Sequence, residues 1–456
     1  MIRNSGNIRF MIPAALILFL LLSTAAAAEN SGEISLEEAY RIALEENEQV
    51  RVSRQDLRKA ETDITSATSN LYPQISARGA YTREKEFDSS SGTGTGAGAG
   101  AGSLFDTPRE YGTLTLRLDQ HVYQWGKVWS SRQIAEHYFK GSRFRHLRQV
   151  QEVLYQVSTR YYEVLLGRRS IEIAENALKR ARQQLDRAEA QYEVGVLTQT
   201  DVLRAEVQAA QSREALERAK NQYDIAKERL ALEMGIESVP GTLEEPGERS
   251  FSQARMPELY DTALENRQDF SQAEKQLLAA EERINFEQAD FFPNISLTGE
   301  YTRTDEEALF YGEPDDWKAS VVVSYPLFTG WKTSAEVDRA KSEKSQAEYS
   351  LARLRKQIRN EVRSVYLDIQ TQQKVIDQLE QQVQSARRNY KQVTAQFEEG
   401  LVTAVDQVDA FTALNEAENR LAQAYYTYQL DLLRLKLATG TFQSDLLERE
   451  IRNEDG

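Results

Sequence analysis

Asp406 and Asp409 stand three positions apart in the stretch QFEEGLVTAVDQVDA, a spacing that lets both carboxylates look the same way from one helix. Asp201 sits in a near copy of that stretch, QYEVGVLTQTDVL; each has a Gly, a Thr three positions later and an Asp three beyond that. Paired carboxylates can serve acid–base catalysis, but only beside a group that splits their pKa values, and these have no neighbouring His, nucleophile or apolar pocket. In a symmetric oligomer the same pair would form stacked acidic rings at a constriction, the device of cation-selective pores. His121, His137 and His146 lack metal-ligand spacing, and the Gly/Ser/Thr run from Ser89 to Ser103 has neither the Lys nor the strand-to-helix setting of a phosphate loop. No catalytic residue, metal or cofactor is expected.

Helix capping competes for the same residues. Gly195 and Gly400 suit the left-handed position just past a helix C-terminus. Thr198 and Thr403, each followed by Asp at the third position, suit an N-cap with its capping-box acid. Asp409 lies one turn beyond the box and has Arg204 as its counterpart, so capping does not account for it.

The elements that would hold these turns come from a chain written twice. LYPQISARGAYTRE, beginning at Leu71, returns as FFPNISLTGEYTRT from Phe291, and further on Lys127 answers Lys332, Gly195 answers Gly400 and Gly235 answers Gly440. Within each copy the hydrophobic period changes from helical to strand-like and back. Ile75, Ala77, Gly79 and Tyr81 share one face; Leu114, Leu116 and Leu118 oppose Thr113, Thr115, Arg117 and Asp119; Ile295, Leu297 and Tyr301, then Val321, Val323 and Tyr325, repeat the pattern. Strands of about ten alternating residues cross a bilayer when tilted. Four of them cannot close a barrel, so other copies of the chain must complete it. Tyr72, Trp125, Phe292 and Trp331 fall at the strand ends, where interfacial aromatic anchors belong.

After each strand pair comes a proline-free heptad pattern, through Val150, Leu154, Val157 and Tyr161 in the first copy and Val362, Tyr366 and Ile369 in the second, interrupted at Arg168 and at Gln373. A helix of about 65 residues is roughly 100 Å long, beyond what a globular domain buries, and must pack on other rods.

The expected organisation is a signal peptide over 1–28, a first unit over 29–240, a linker over 241–257, a second unit over 258–440 and a tail over 441–456. The first unit has a helix from about 36 to 70, strands at about 72–83 and 112–123, a long helix at about 128–193, a turn at 194–198 and a return helix to about 235. The second has a helix from about 258 to 290, strands at about 292–304 and 317–328, a long helix at about 333–399, a turn at 400–403 and another return helix.

The leader has Arg3 and Arg9 before an apolar run and small residues Ala26 and Ala28 at a cleavage site. Its removal takes the formal charge from −15 to about −17, which disfavours nucleic acid as a partner. The absence of Cys excludes disulfides, thiolate metal sites and a lipid-bearing cysteine.

Taken in order and doubled, LYPQIS and FFPNIS, PLFTG, and the YEVGVLTQTDVL and FEEGLVTAVDQVDA turns resemble the TolC-like outer-membrane efflux protein family over essentially the whole mature chain. The resemblance implies a membrane α+β fold: a homotrimer whose chains each give four strands to one twelve-stranded outer-membrane β-barrel, continuous with a long periplasmic α-helical barrel. It implies a passive, non-enzymatic channel in the outer membrane of a Gram-negative bacterium, working with a periplasmic adaptor and an inner-membrane pump. The adaptor would dock on the tips at Val194, Gly195, Val196, Thr198, Glu399, Gly400, Leu401 and Thr403. The acidic entrance would be Asp406 and Asp409, with Asp201 nearby in role. Val402 stands where some members carry an Arg of the closed-state latch. Small-molecule or metal efflux is the favoured cargo and type I protein secretion the alternative. A structural periplasmic coiled-coil scaffold is the rival from another class; lipid-length strands oppose it.

Overall fold

The computed structural model describes residues 33–84, 109–247, 251, 255–305 and 316–447; the leader 1–28 and the Ser89 to Ser103 run lie outside the described residues. The elements are α1 (Leu36–Glu46), α2 (Glu48–Thr68), β1 (Gln74–Glu84), β2 (Arg109–Tyr123), α3 (Lys127–Glu193), α4 (Gln199–Met234), α5 (Met256–Asn266), α6 (Gln268–Gln288), β3 (Asn294–Asp305), β4 (Asp316–Ser324), α7 (Lys332–Glu398) and α8 (Ala404–Ala438). Contacts divide the chain into two units, residues 1–42 with 157–248, and residues 43–156 with 249–456. No helix among the described residues is long and apolar enough to cross a membrane.

The helices expected ahead of each strand pair are each broken in two. Asn47 ends α1 and caps α2, its side chain accepting from the backbone N–H groups of Gln49 and Val50 at 2.9 and 3.2 Å. Arg267 stands at the matching break between α5 and α6. Periodicity alone runs across both breaks, because each costs the pattern only one residue.

In the first unit, an N-terminal segment pairs with the segment after α4: Ile34 bridges Leu243, with Ile34 N–H donating to Thr242 and Glu244 N–H to Ile34 at 2.8 and 3.0 Å. The buried Tyr161 hydroxyl lies 2.8 and 2.6 Å from the Ile34 and Glu244 carbonyls, fastening both segments to α3. Arg168, which interrupts the heptads, donates to the Leu243 carbonyl at 2.9 Å. The interruption thus holds backbone that α3 could not hold with an apolar side chain. Beside it, Gly167 lets the Tyr223 backbone approach to 3.2 Å from where a Cβ would stand.

In the second unit, α5, α6, α7 and α8 enclose one apolar cluster of Ala263, Phe270, Ile358, Val362 and Ala438, and a second of Val365, Ile369, Tyr428, Leu432 and Leu435. Gln373, the other heptad interruption, donates to the Tyr428 hydroxyl at 2.9 Å.

The same unit carries the sheet, an antiparallel meander in the order β1-β2-β3-β4. Its register aligns one face across all four strands. Ile75, Leu118, Gly299 and Ala319 form one row, and Ala77, Leu116, Tyr301 and Trp317 the next. The reverse face has the row Ser76, Arg117, Glu300 and Lys318. The apolar face is open: Ile75 is 73%, Val321 68% and Trp317 81% exposed. β1 and β4 are edge strands, each paired on one side only among the described residues. A β-bulge between His121 and Tyr123 marks where β2 leaves the ladder toward α3.

Candidate functional site

Both turns are built the same way. At the end of α3, Gly195 N–H donates to the Tyr192 carbonyl and Val196 N–H to that of Gln191, both at 2.9 Å, with Gly195 at φ +79°. At the end of α7, Gly400 donates to Phe397 and Leu401 to Gln396, again at 2.9 Å, with Gly400 at φ +74°. These paired bonds are Schellman motifs; they satisfy the last helix carbonyls and need a residue in the left-handed region, where a Cβ is disfavoured. The next helix starts on a reciprocal capping box. The Thr198 N–H and hydroxyl lie 3.2 and 2.7 Å from an Asp201 carboxylate oxygen, and those of Thr403 lie 2.9 and 2.6 Å from Asp406. Return bonds from the Asp N–H groups to the Thr hydroxyls complete each box.

Asp406 and Asp409 therefore differ, although they share one helix. The Thr403 hydroxyl and N–H hold the Asp406 carboxyl below the usual carboxylate range, and turn it toward the start of α8. Asp409 is exposed and makes no hydrogen bond or ion pair among the described residues; Arg204, its counterpart on α4, is likewise exposed. Asp201 belongs to the first unit and the other two aspartates to the second.

Around each turn the apolar side chains point into solvent. Val194 is 74%, Val196 64% and Leu401 68% exposed, with Leu203, Val207 and Val405 also exposed along the following helices. Val402 and Leu197 are half-buried. Glu399 is exposed at the end of α7, and a Cβ on either turn glycine would meet nothing within 4 Å. Such a tip has room for another surface and apolar groups to bury against it.

Of the strand-end aromatics, Trp125 stacks on Phe292 at 4.6 Å between ring centroids, and Trp331 meets Phe328 edge-on at 5.9 Å. Tyr72 is exposed just ahead of β1. Trp125 and Trp331 both adopt left-handed backbone, φ +47° and +67°, the first two residues before α3 and the second next to α7. That conformation is costly for a bulky residue, and both copies enter the long helix through two left-handed residues, Trp125 and Gly126 in the first and Gly330 and Trp331 in the second.

No group of His, Asp and Glu among the described residues could hold a metal ion. His146 is buried, with Nδ1 2.7 Å from the Ser53 hydroxyl, and His137 is pushed below its ordinary pKa by burial and by Lys140.

One cluster escapes sequence reading. Arg267, buried between α5 and α6, donates to Asp269 at 3.0 and 2.7 Å, to Glu361 at 2.7 Å and to the Ala438 carbonyl at 3.1 Å. Burial disfavours the Asp269 charge, but the hydrogen bonds and charge of Arg267 outweigh it and hold that carboxyl below its ordinary value. Its one trace in the sequence is that Arg267 stands where the first copy has the cap residue Asn47.

A family model described as outer membrane efflux protein matches the chain twice, over residues 39–235 and 259–441. The outer membrane protein TolC of Vibrio cholerae is 26% identical over 446 residues, covering 94% of each chain. The alkaline protease secretion protein AprF of Pseudomonas aeruginosa is 26% identical over 440 residues, covering 94% of this chain and 88% of that one. The crystal structure of the Campylobacter jejuni CmeC outer membrane channel superposes with a TM-score of 0.76 at 17% identity, covering 92% of this chain and 89% of that one.

Proposed function

The chain belongs to the outer membrane efflux protein family, and from that premise we propose that three copies form one passive export duct through the outer membrane. It is an outer-membrane channel protein with a periplasmic extension, and not an enzyme. The observation that carries the duct is the sheet: an open apolar face, a polar reverse face and two edge strands. In hydrocarbon each unpaired backbone group costs several kcal/mol, so β4 of one chain pairs with β1 of the next until twelve strands close. A periplasmic scaffold would have no use for that face.

In this reading the turns at Gly195 and Gly400 are the periplasmic tips. A periplasmic adaptor docks on Val194, Val196, Glu399, Leu401 and the two capped helix starts, and an inner-membrane pump supplies the energy. Asp409, repeated three times, forms the acidic ring of the entrance, with Asp406 and Asp201 as the carboxylates beside it. The cargo is a small molecule or metal ion. A relative named for protease secretion is as similar as one named TolC, so passage of a protein is the second reading.

The test is the purified chain in a planar bilayer. It should migrate as a heat-modifiable trimer and give discrete cation-selective currents blocked by divalent cations; a monomer that passes no current would sink the duct.

A further inference from the structure

Where β3 begins and β4 ends, the second unit contains a cavity of about 290 Å³ that neither capping nor the duct explains. That is near the small end of ligand sites, about 300–1,000 Å³, which suits a headgroup and not a whole lipid. Its charged lining is balanced: Lys127 and Lys332, the matching residues of the two copies, face Asp290 and Glu336. Lys127 is ion-paired with Asp290, and its ammonium lies 4.7 Å from the Phe286 ring centroid. Glu336 shares a longer contact, 3.6 Å, with Arg339. The Lys332 ammonium has no partner among the described residues. An anion on Lys332 would also face the Asp290 and Glu336 carboxylates, so the ligand that suits this lining carries a cation beside its anion.

The surroundings select a lipid as its source. Phe292 lines the cavity and stacks on Trp125. Trp331, Phe328 and Leu327, 76%, 74% and 85% exposed, follow the end of β4. The same end of the sheet opens the apolar rows through Ile295 and Val323, where an acyl chain can lie. Both tryptophans are held in left-handed backbone at this level, Trp125 two residues before Lys127 and Trp331 next to Lys332.

We propose that this cavity binds the headgroup of a zwitterionic glycerophospholipid, its phosphate on Lys332 beside Lys127 and its ammonium between Asp290 and Glu336. The inference rests on the outer-membrane placement of the strands. It fixes which side of the membrane the site faces, because the helices leave the sheet at this end and extend into the periplasm, so the lipid belongs to the periplasmic leaflet.

The experiment is native mass spectrometry of the full-length assembly in detergent, titrated separately with dioleoylphosphatidylethanolamine, dioleoylphosphatidylglycerol, glycerophosphoethanolamine and inorganic phosphate. Phosphatidylethanolamine should be retained at one molecule per chain and bind about tenfold more tightly than phosphatidylglycerol, the scale of one charge-assisted contact. The two water-soluble probes should not bind at the same concentrations. Lys332→Met should weaken phosphatidylethanolamine binding about tenfold, and Ser334→Ala, outside the cavity, should leave it unchanged. Lys332 is exposed and has no partner among the described residues, so its loss leaves folding intact; Asp290→Asn should abolish the preference between the two lipids. Equal retention of both lipids, binding of phosphate alone, or wild-type retention by Lys332→Met would each overturn the site. A chain that enters no lipid nanodisc fails the membrane placement itself, whereas an inserted chain that does not discriminate fails only the headgroup site.

Discussion

Among single residues, the two aspartates of the second tip separate by what each carboxylate already does. Asp406 is engaged by Thr403, and Asp409 makes no hydrogen bond or ion pair among the described residues. Asp409→Asn should therefore raise conductance and weaken block by divalent cations while leaving thermal stability unchanged. Asp406→Asn should instead speed amide exchange over the first turn of α8. If Asp406→Asn alone removes the block and Asp409→Asn does not, the entrance ring is assigned to the wrong residue. Because the cap holds Asp406 below the ordinary carboxylate range, its contribution is complete above that range and is lost as pH falls through the folded value. Protection against amide exchange over the first turn of α8 should thus drop as pH falls through that value.

Helices are joined in this chain by contacts that only their ends can make. Arg267 ties the α5–α6 break to α7 through Glu361 and to the end of α8 through the Ala438 carbonyl. Removing one partner of a buried pair costs about 3–5 kcal/mol; Glu361 is partly in water, so Arg267→Met should cost about 2–3 kcal/mol, read in denaturant unfolding. Asp269 is depressed, so this clamp contributes fully above the usual carboxylate range and weakens as pH falls through the folded Asp269 value. The difference between Arg267→Met and wild type should therefore shrink in acid; a constant difference across that range would falsify the clamp. Gly440 reinforces the same joint. Its φ is +75°, and a Cβ there would stand 2.6 Å from the Asn266 carbonyl carbon and 2.7 Å from the Arg267 nitrogen. Gly400, at φ +74°, faces open space. Gly400→Ala should cost only the left-handed penalty, about 1–2 kcal/mol, and Gly440→Ala clearly more. Equal melting temperatures for the two variants would show that the close approach relaxes at no cost.

For the whole molecule, the strands and the tips serve different neighbours, and a variant can lose one without the other. Gly195→Glu together with Gly400→Glu should abolish export while heat-modifiable trimers still form, because a Cβ at either position would meet nothing within 4 Å among the described residues. Gly195→Ala with Gly400→Ala carries the same backbone strain without the bulk and charge, and should retain much of the export. Normal export from the glutamate pair would remove the tips as the adaptor's docking surface.

The sequence by itself determined what depends on near neighbours in the chain. Schellman glycines, capping boxes, strand alternation and heptads are set within a few residues of each position, so the duplicated QYEVGVLTQTDVL and QFEEGLVTAVDQV turns were legible before any fold was known. Tertiary structure decided what depends on residues far apart in the chain. Asn47 and Arg267 occupy the same place in the two copies, yet one caps a helix and the other pairs with Glu361, because only the second copy brings a carboxylate from α7 to that break. Arg168 read as a fault in a heptad until the Leu243 carbonyl was found beside it. Lys127 and Lys332 were visible as a repeated pair, but the cavity they share exists only because the ends of β3 and β4 meet the starts of α3 and α7. Hydrophobic period and turn chemistry are local free energies, whereas ion pairs, close backbone approaches and cavities require partners that chain distance does not disclose.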